Sequence, residues 1–247
     1  MHRFFVEKEQ VIDEIIEING TDVKHIKDVL RLKPKERIEI ASDGITYTCE
    51  IESLFKEKII TRIIDKVKGV NESPVDIILY QGLAKGSKMD LIIQKCTEIG
   101  VKEFYPVATH RSVVKIKDIK KEQSKVERWN SIADEAAKQS KRDILPKVQN
   151  IISFDEMVGI LKDEDNIIVP YEDEKGNTIK GSLESSGIKK MHLIIGPEGG
   201  FEPKEIEKLK LIGARIVTLG PRILRTETAG IVASTIILYE LGDLGVI

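Results

Sequence analysis

The feature that most constrains the fold is a regular alternation of apolar strand-like segments and amphipathic helical segments from Val75 onward. Strands separated by helices pair in parallel, because the helix returns the chain to the same edge of the sheet. The predicted strands are 75–80, 101–107, 166–171, 191–195 and 214–219, and the predicted helices are 88–99, 122–140, 154–161, 203–212 and 226–241. We expect a mostly parallel sheet with helices on both faces and with ligand-binding loops at the carboxyl ends of its strands.

The first 70 residues have a different pattern. Short alternating or β-branched runs predict strands at 3–6, 11–18, 36–40, 45–52 and 58–65, and apolar residues at helical spacing predict one helix at 21–32. Gly44 marks a hairpin turn, because glycine tolerates a positive φ. A polar stretch at 68–74 breaks the pattern. The sequence therefore predicts a small β-rich domain at 1–70 and an α/β domain at 74–247.

Composition narrows the class of protein. The chain has 247 residues, of which 41% are hydrophobic and 32% charged, and it contains no run of roughly 18 uncharged apolar residues such as a membrane span needs. Its first residues lack the pattern of a signal peptide, so a cytoplasmic location is expected. Cys49 and Cys96 are far apart, and the four histidines form no zinc-binding motif, so no metal is expected.

Charge is distributed unevenly along the chain. The net charge is −2, but residues 111–147 contain eleven basic and six acidic side chains. Such a run is often a solvated helix face, and it is also compatible with contacts to RNA phosphates.

The loop Gly196–Phe201 follows an apolar strand and precedes a helix with Pro203 in its first turn. Its three glycines allow the backbone to approach a ligand closely. The loop lacks the GxGxxG pattern of dinucleotide sites, and segment 82–88 lacks the spacing of a phosphate loop, which disfavours nucleotide hydrolysis.

A second loop, Leu219–Ala229, also connects a strand to a helix. Thr226 and Glu227 fit a helix start, where a hydroxyl caps and an acidic side chain favours the dipole. Arg222 and Arg225 oppose that dipole unless an anion or another partner offsets it, and an RNA phosphate or the reacting base could do so.

The two loops resemble the cofactor-binding loops of the SPOUT methyltransferases and, more narrowly, those of the ribosomal RNA small-subunit methyltransferase E family. The resemblance extends over nearly the whole chain, through His2–Phe5, His25, Val29–Leu32, Lys85–Gly86, Lys88–Asp90, Gln94–Lys95, Thr97–Val101, Arg128–Trp129, Glu135–Ala136 and Gln139–Ser140. It implies an N-terminal PUA-like RNA-binding domain, a C-terminal α/β domain with a deep trefoil knot, and a homodimer. The implied reaction is methylation of ring nitrogen N3 of one uridine in 16S ribosomal RNA with S-adenosylmethionine.

The resemblance also implies site residues. The expected cofactor-binding residues are Leu193, Ile195, Gly196, Gly200, Leu219, Gly220 and Leu224. Arg225 is the candidate for stabilising the developing uracil anion, and Glu227 is a candidate base or arginine orienter. The expected RNA contacts are Arg3, His25 and Arg31 in the small domain, and Lys85, Lys88, Arg111, Arg142 and Arg222 in the rest of the chain.

Three alternatives stay open on the sequence. A related enzyme that methylates a ribose hydroxyl of transfer RNA would use the same cofactor loops. A catalytically silent RNA-binding protein would keep the basic segment without binding the cofactor. A small-molecule α/β enzyme would show no affinity for RNA and no salt dependence.

Overall fold

The structure of the protein, a computed structural model, describes residues 1–112, 119–183 and 187–246, with side chains described at all of these except 119–121. The chain folds into two compact units. The N-terminal unit contains Met1–Glu72 and Ala137–Leu145, and the C-terminal unit contains Ser73–Ala136 and Pro146–Ile247. The N-terminal unit thus includes a segment that a division in sequence order places in the second domain.

The N-terminal unit is built on a six-stranded sheet with the order β1-β4-β5-β6-β3-β2. The strands are β1 (Arg3–Phe5), β2 (Val11–Ile12), β3 (Ile15–Asn19), β4 (Arg37–Ser42), β5 (Ile45–Leu54) and β6 (Lys58–Lys68). Strands β1 and β4 pair in parallel and the others antiparallel. Phe4, Ile26 and Ile40 are among the residues of its buried core.

Backbone conformation explains where this unit differs from the prediction. The single strand predicted at 11–18 is the hairpin of β2 and β3, because Asp13 turns the chain with a φ of 52°. The predicted helix at 21–32 is shorter, with α1 (Thr21–Lys24) followed by a π-helical turn (His25–Val29). The predicted turn at Gly44 is confirmed, since Asp43 and Gly44 both have positive φ between β4 and β5.

Buried ion pairs attach segment 137–145 to the N-terminal strands. The Arg3 guanidinium donates hydrogen bonds to Asp143 Oδ1 at 2.9 Å and to Glu39 Oε2 at 3.2 Å. The Thr46 hydroxyl donates to the same Asp143 oxygen at 2.7 Å. Arg142 donates to both carboxylate oxygens of Glu72 at 2.8 and 2.6 Å.

The C-terminal unit contains a sheet in which every described strand pair is parallel, in the order β10-β8-β7-β12-β11-β13, with β9 paired to β8. The strands are β7 (Asp76–Gly82), β8 (Glu103–Ala108), β9 (Lys147–Val148), β10 (Ile152–Ser153), β11 (Ile167–Pro170), β12 (Lys190–Ile195) and β13 (Arg215–Val217). The helices are α2 (Lys88–Ile99), α3 (Ile119–Gln139), α4 (Phe154–Leu161), α5 (Ile179–Ser182), α6 (Pro203–Leu211) and α7 (Thr226–Leu241).

Helices cover both faces of this sheet, which confirms the predicted architecture. Successive residues of a strand point to opposite faces. In β7, Ile77 and Leu79 belong to a core that also includes side chains of α2, α3 and α7. Ile78 and Tyr80 belong to a second core with side chains of α4 and α6. Among the described residues, no helix combines the length and apolar character needed to cross a membrane.

Candidate functional site

A pocket of about 420 Å³ opens in the C-terminal unit at the carboxyl ends of β11, β12 and β13. These strands are neighbours in the order β12-β11-β13, so the three loops that leave them meet at one edge of the sheet. We call this cavity the strand-end pocket. It is lined by Lys88, Pro170–Glu172, Ile195–Glu198, Gly200, Phe201, Thr218–Thr226 and Ala229.

The loop after β12 brings bare backbone to the pocket. Gly200 has a φ of +67°, and a Cβ at this position would lie 2.5 Å from Glu172 Oε1. Its N–H donates to the Pro197 carbonyl at 3.0 Å and closes a tight turn. Gly82 has no room for a side chain either, because a Cβ there would lie 2.5 Å from the Pro197 nitrogen.

The loop after β13 turns at Gly220, which has a φ of +108°. The Gly220 N–H donates to the Thr218 hydroxyl at 3.1 Å. Arg225 then occupies the N-cap position of α7 in extended conformation, without a side-chain capping bond. Thr226 was the predicted cap and is instead the first residue of the helix.

The Thr226 hydroxyl serves a different purpose. It donates to the Gly196 carbonyl at 2.6 Å and accepts from Gln81 Nε2 at 2.9 Å. Gln81 is 2% exposed, and its Nε2 also donates to the Gly82 carbonyl. This network fixes the end of β7, the loop after β12 and the start of α7 against one another.

Lys88 joins two carboxylates at the pocket. Its Nζ lies 3.1 Å from Glu198 Oε1 and 3.5 Å from Glu227 Oε2. The hydrogen bond with Glu198 raises the pKa of Lys88, so the side chain is a cation. Burial acts to raise the pKa of Glu198, but hydrogen bonds from the Lys85 N–H and from Lys88 outweigh it and lower that pKa.

The structure brings most of the predicted site residues together. Six of the seven expected cofactor residues line the pocket: Ile195, Gly196, Gly200, Leu219, Gly220 and Leu224. Leu193 does not, because its side chain is buried in the core of the sheet. Arg222 and Arg225 also line the pocket. Glu227 does not line it, but its carboxylate forms an ion pair with Lys88, which does.

The predicted RNA contacts lie in different surroundings. Lys85 is exposed, and Arg111 donates to the Gly199 carbonyl at 3.1 Å, beside the loop after β12. Lys88 lines the pocket, and its ammonium group is paired with Glu198 and is therefore not free to bind a phosphate. In the N-terminal unit, Arg31 is exposed and His25 lies edge-on to Phe4 at 6.3 Å.

Arg3 and Arg142 require a correction. Their relative exposures are 7% and 3%, and both guanidinium groups are ion-paired inside the N-terminal unit. A buried, paired guanidinium is not presented to a phosphate, so the surface role predicted for these two residues is not supported.

The basic segment 111–147 is also less positive at its surface than its composition indicates. Arg128, Lys138, Lys141 and Arg142 form ion pairs with Asp90, Asp22, Glu39 and Glu72 respectively. Lys115 and Lys117, and the side chains of Lys120 and Lys121, lie outside the described residues.

Sequence reasoning gave no role to Gln81, Glu172 or Glu198. Glu198 lies within the glycine-rich loop, so the density of Gly, Pro and Glu already marked its neighbourhood. Glu172 directly follows Tyr171, where a strand end was predicted, and that position was an available signal. Gln81 ends a buried strand, and nothing local distinguishes it from a core residue.

Two family models match the chain. The one described as RNA methyltransferase domain matches residues 71–238, and the one described as RNA methyltransferase PUA domain matches residues 18–64.

Curated relatives and a solved structure are similar over nearly the whole chain. The Ribosomal RNA small subunit methyltransferase E of Bacillus subtilis is 38% identical, with 97% of both chains covered. The protein of the same name from Aquifex aeolicus is 33% identical, covering 93% of this chain and 95% of its own. The crystal structure of the Neisseria gonorrhoeae protein of that name, bound to S-adenosyl methionine, has a TM-score of 0.84 at 28% identity and covers 99% of each chain.

Proposed function

Because this chain belongs to the ribosomal RNA small subunit methyltransferase E family, we propose that it methylates ring nitrogen N3 of a uridine in 16S ribosomal RNA, with S-adenosylmethionine as methyl donor. The observation that carries the proposal is the strand-end pocket, where three adjacent loops meet and two of them expose glycine backbone beside a cluster of charged side chains. The expected cytoplasmic location goes with a ribosomal substrate.

The pocket residues fit the cofactor. The pocket volume of about 420 Å³ falls in the range of roughly 300–1,000 Å³ typical of small-ligand sites. An added Cβ on Gly220 would meet no atom within 4 Å, so this backbone borders open space. Ile195, Leu219 and Leu224 supply apolar surface for an adenine ring, while Gly196 and Gly200 expose backbone. When bound, S-adenosylmethionine supplies a methyl group on a positively charged sulfur atom.

Arg225 and Glu227 are the residues proposed to act on the uridine. The N3 nitrogen must lose its proton before it is a good nucleophile. Glu227, next to the Lys88 ammonium, is the proposed proton acceptor. Arg225 presents a guanidinium at the pocket, where it stabilises negative charge on the uracil ring. Most of the remaining rate enhancement comes from holding the base in line with the methyl group.

RNA binding is assigned to basic residues that are exposed, and to the half-buried His25. Arg222, Lys85 and Arg111 lie at or beside the pocket and are proposed to contact phosphates near the reacting base. His25 and Arg31 are proposed contacts of the N-terminal unit, whose residues 18–64 match a PUA domain. The target base has to leave any stacked or paired arrangement to enter the pocket.

A deep trefoil knot and a homodimer complete the proposal. The knot is proposed from membership of the family alone. Helices α2 and α7 share one core, and they expose Leu91 and Tyr239, which supports a dimer surface there. Light scattering on the purified protein tests the dimer.

The test of the reaction uses small ribosomal subunits from cells that lack this protein. Incubation with labelled S-adenosylmethionine, followed by nucleoside analysis, is expected to yield 3-methyluridine. Arg225→Ala and Glu227→Gln are each expected to lower kcat by about 10² to 10⁴-fold, the usual contribution of an acid–base group or charge stabiliser.

Glu207→Gln is the matched control for Glu227→Gln, since Glu207 is exposed on α6 and does not line the pocket. Label on a ribose, or on transfer RNA alone, would contradict the proposed substrate. Absence of both labelling and cofactor binding would leave a catalytically silent RNA-binding protein.

A further inference from the structure

Glu172 is a pocket residue without a role in the proposed reaction. It lies two residues after the end of β11 and lines the strand-end pocket. The Tyr171 N–H still donates to the Val217 carbonyl at 2.9 Å, so the parallel pairing continues to the residue just before Glu172. The Glu172 carboxylate therefore lies just beyond the carboxyl end of β11, next to Pro170 and Tyr171, which also line the pocket.

The Glu172 carboxylate lies close to Gly200 in the loop after β12. Its Oε1 lies 2.5 Å from the point that a Cβ on Gly200 would occupy. The carboxylate thus rests against the bare backbone of the loop after β12. Both groups face a pocket whose other lining includes the backbone of Leu219 and Gly220.

Glu172 differs from the other carboxylates of this region in its partners. Glu198 is neutralised by Lys88 and accepts from the Lys85 N–H, and Glu227 lies beside the same ammonium. Across residues 1–112, 119–183 and 187–246, the Glu172 carboxylate forms no ion pair or hydrogen bond with another side chain or backbone group. Its two oxygens are available as acceptors to a ligand in the pocket.

We propose that Glu172 binds the cofactor by accepting hydrogen bonds from the two ribose hydroxyls of its nucleoside, an inference that rests on the proposed function. An ionised carboxylate has two acceptor oxygens, and adjacent ribose hydroxyls offer two donors. An acidic residue near the end of a parallel strand accepts from ribose hydroxyls in other nucleotide-binding α/β folds.

Ribose recognition is preferred over recognition of the cofactor's positive charge. Glu172 is exposed at the mouth of the pocket, where water and salt screen an ion pair and leave it little net energy. A directional hydrogen bond to an ionised acceptor keeps more of its strength.

Calorimetric titration of the full-length protein tests this assignment. The ligands are S-adenosylmethionine, S-adenosylhomocysteine and methylthioadenosine, which share the ribose, and adenosine with 2′,3′-dideoxyadenosine as a pair that differs in the hydroxyls. Glu172→Gln is expected to weaken the three cofactor-related ligands and adenosine by a similar factor of about tenfold or more, as for loss of hydrogen bonds to a charged group. Dideoxyadenosine is expected to bind both proteins equally.

The control variant is Glu207→Gln, which should leave all five affinities unchanged. Weakening confined to S-adenosylmethionine would mean that Glu172 reads the sulfonium charge, and equal weakening of dideoxyadenosine would mean that it only supports the Gly200 loop. Either result, or no change at all, overturns the ribose assignment. If the wild-type protein forms 3-methyluridine while Glu172→Gln binds normally, this inference alone fails; if the wild type binds no S-adenosylmethionine, the proposed function fails first.

Discussion

The hydroxyl of Thr226 connects three parts of the strand-end pocket that are far apart in the sequence. It donates to Gly196 in a partly buried hydrogen bond and accepts from Gln81 in a buried one. A buried group that loses its partner keeps the full cost of its desolvation. The positions of Gly196 and of the start of α7 therefore depend on this one oxygen.

Replacing Thr226 with valine keeps the shape of the side chain and removes the oxygen. We expect the free energy of unfolding to fall by ~1–3 kcal/mol, because the Gly196 carbonyl and the Gln81 amide are left without this partner. Affinity for S-adenosylmethionine should fall as well, since Gly196 lines the pocket. Urea unfolding and calorimetry measure the two effects.

Thr235→Val is the control for this substitution. Thr235 lies on the same helix, and its exposed hydroxyl donates to the Ile231 carbonyl within the helix. Its loss should change neither stability nor affinity by more than a few tenths of a kcal/mol. Equal effects of the two variants would contradict the role given to Thr226.

His192 predicts a pH dependence of stability. The side chain is 2% exposed, and burial lowers its pKa below 6.5 against opposing interactions with Glu164 and Glu103. Lys190 lowers it further. As pH falls, the unfolded chain takes up a proton at this histidine before the folded chain does. The stabilising contribution is complete above pH 6.5 and is lost as pH falls below it.

Urea unfolding between pH 7 and pH 5 should therefore show a decreasing free energy of unfolding, and His192→Gln should reduce the slope. The hydrogen bond from Lys190 lowers the pKa of Glu164, so this carboxylate affects stability only as pH falls below 4.5. The effects of His192 and Glu164 on stability therefore appear in different pH ranges. A slope that is unchanged in the variant would contradict the assignment.

Single residues show where sequence reasoning ends. Gly196, Gly200 and Gly220 were predicted because glycines in a loop between a strand and a helix are typical of backbone that approaches a ligand. Arg3 and Arg142 were predicted to bind RNA from their positive charge. The charge of a residue does not show whether an acidic side chain of the same chain pairs with it. Arg3 meets Asp143 across 140 positions of sequence, and no local pattern records such a contact.

Among the elements, the loop after β12 constrains its backbone at Gly200 in two ways. Gly200 combines a positive φ with a position only 2.5 Å from Glu172 Oε1. Gly213, at the end of α6, has a φ of +83° but meets no atom within 4 Å of an added Cβ. Substitution at Gly213 therefore tests the effect of backbone strain alone, and substitution at Gly200 tests strain together with a steric clash.

We expect Gly213→Ala to cost ~1–2 kcal/mol of stability, the usual penalty for a left-handed alanine, with cofactor affinity unchanged. Gly200→Ala should carry the same strain and in addition displace Glu172 or the loop, so affinity for S-adenosylmethionine should fall at least tenfold. Calorimetry and urea unfolding of both variants check this. Equal affinities would contradict the close fit at Gly200.

Element length decides how well the fold was predicted. Helices α2, α4 and α7 begin and end where the sequence pattern placed them, because each is at least two turns long and carries several apolar residues. Strands β9 and β10 have two residues each and α5 has four. Such short elements show no periodicity. Strands β9 and β10 form because β8 pairs with both of them, and α5 begins at a Thr178 cap.

At the scale of the whole molecule, the chain enters the N-terminal unit twice. Segment 137–145 returns to it, and Asp143 becomes 2% exposed among Arg3, Thr46 and the Asn71 N–H. The sequence predicted one boundary near residue 70, because composition changes there. It gave no sign of the return, since the segment begins inside a predicted helix that continues from the C-terminal unit and its partners lie far away in the sequence.

Asp143→Ala should destabilise the N-terminal unit by ~3–5 kcal/mol, the usual cost of removing one member of a buried ion pair. Hydrogen exchange should then show lost amide protection in β1, β4 and β5. Lys8→Ala, which breaks the exposed pair with Asp43, should cost ~0–1 kcal/mol. Unchanged exchange in the Asp143 variant would contradict the anchoring role.

Because segment 137–145 belongs to the N-terminal unit, this unit cannot be completed until late in translation. A ribosome adds Asp143 only after more than half of the 247 residues have been made. At typical rates of protein synthesis, Asp143 emerges from the ribosome on the order of ten seconds after Arg3. During that interval the first six strands lack the carboxylate that Arg3 and Thr46 share. The part of the chain that is synthesised first is therefore completed late.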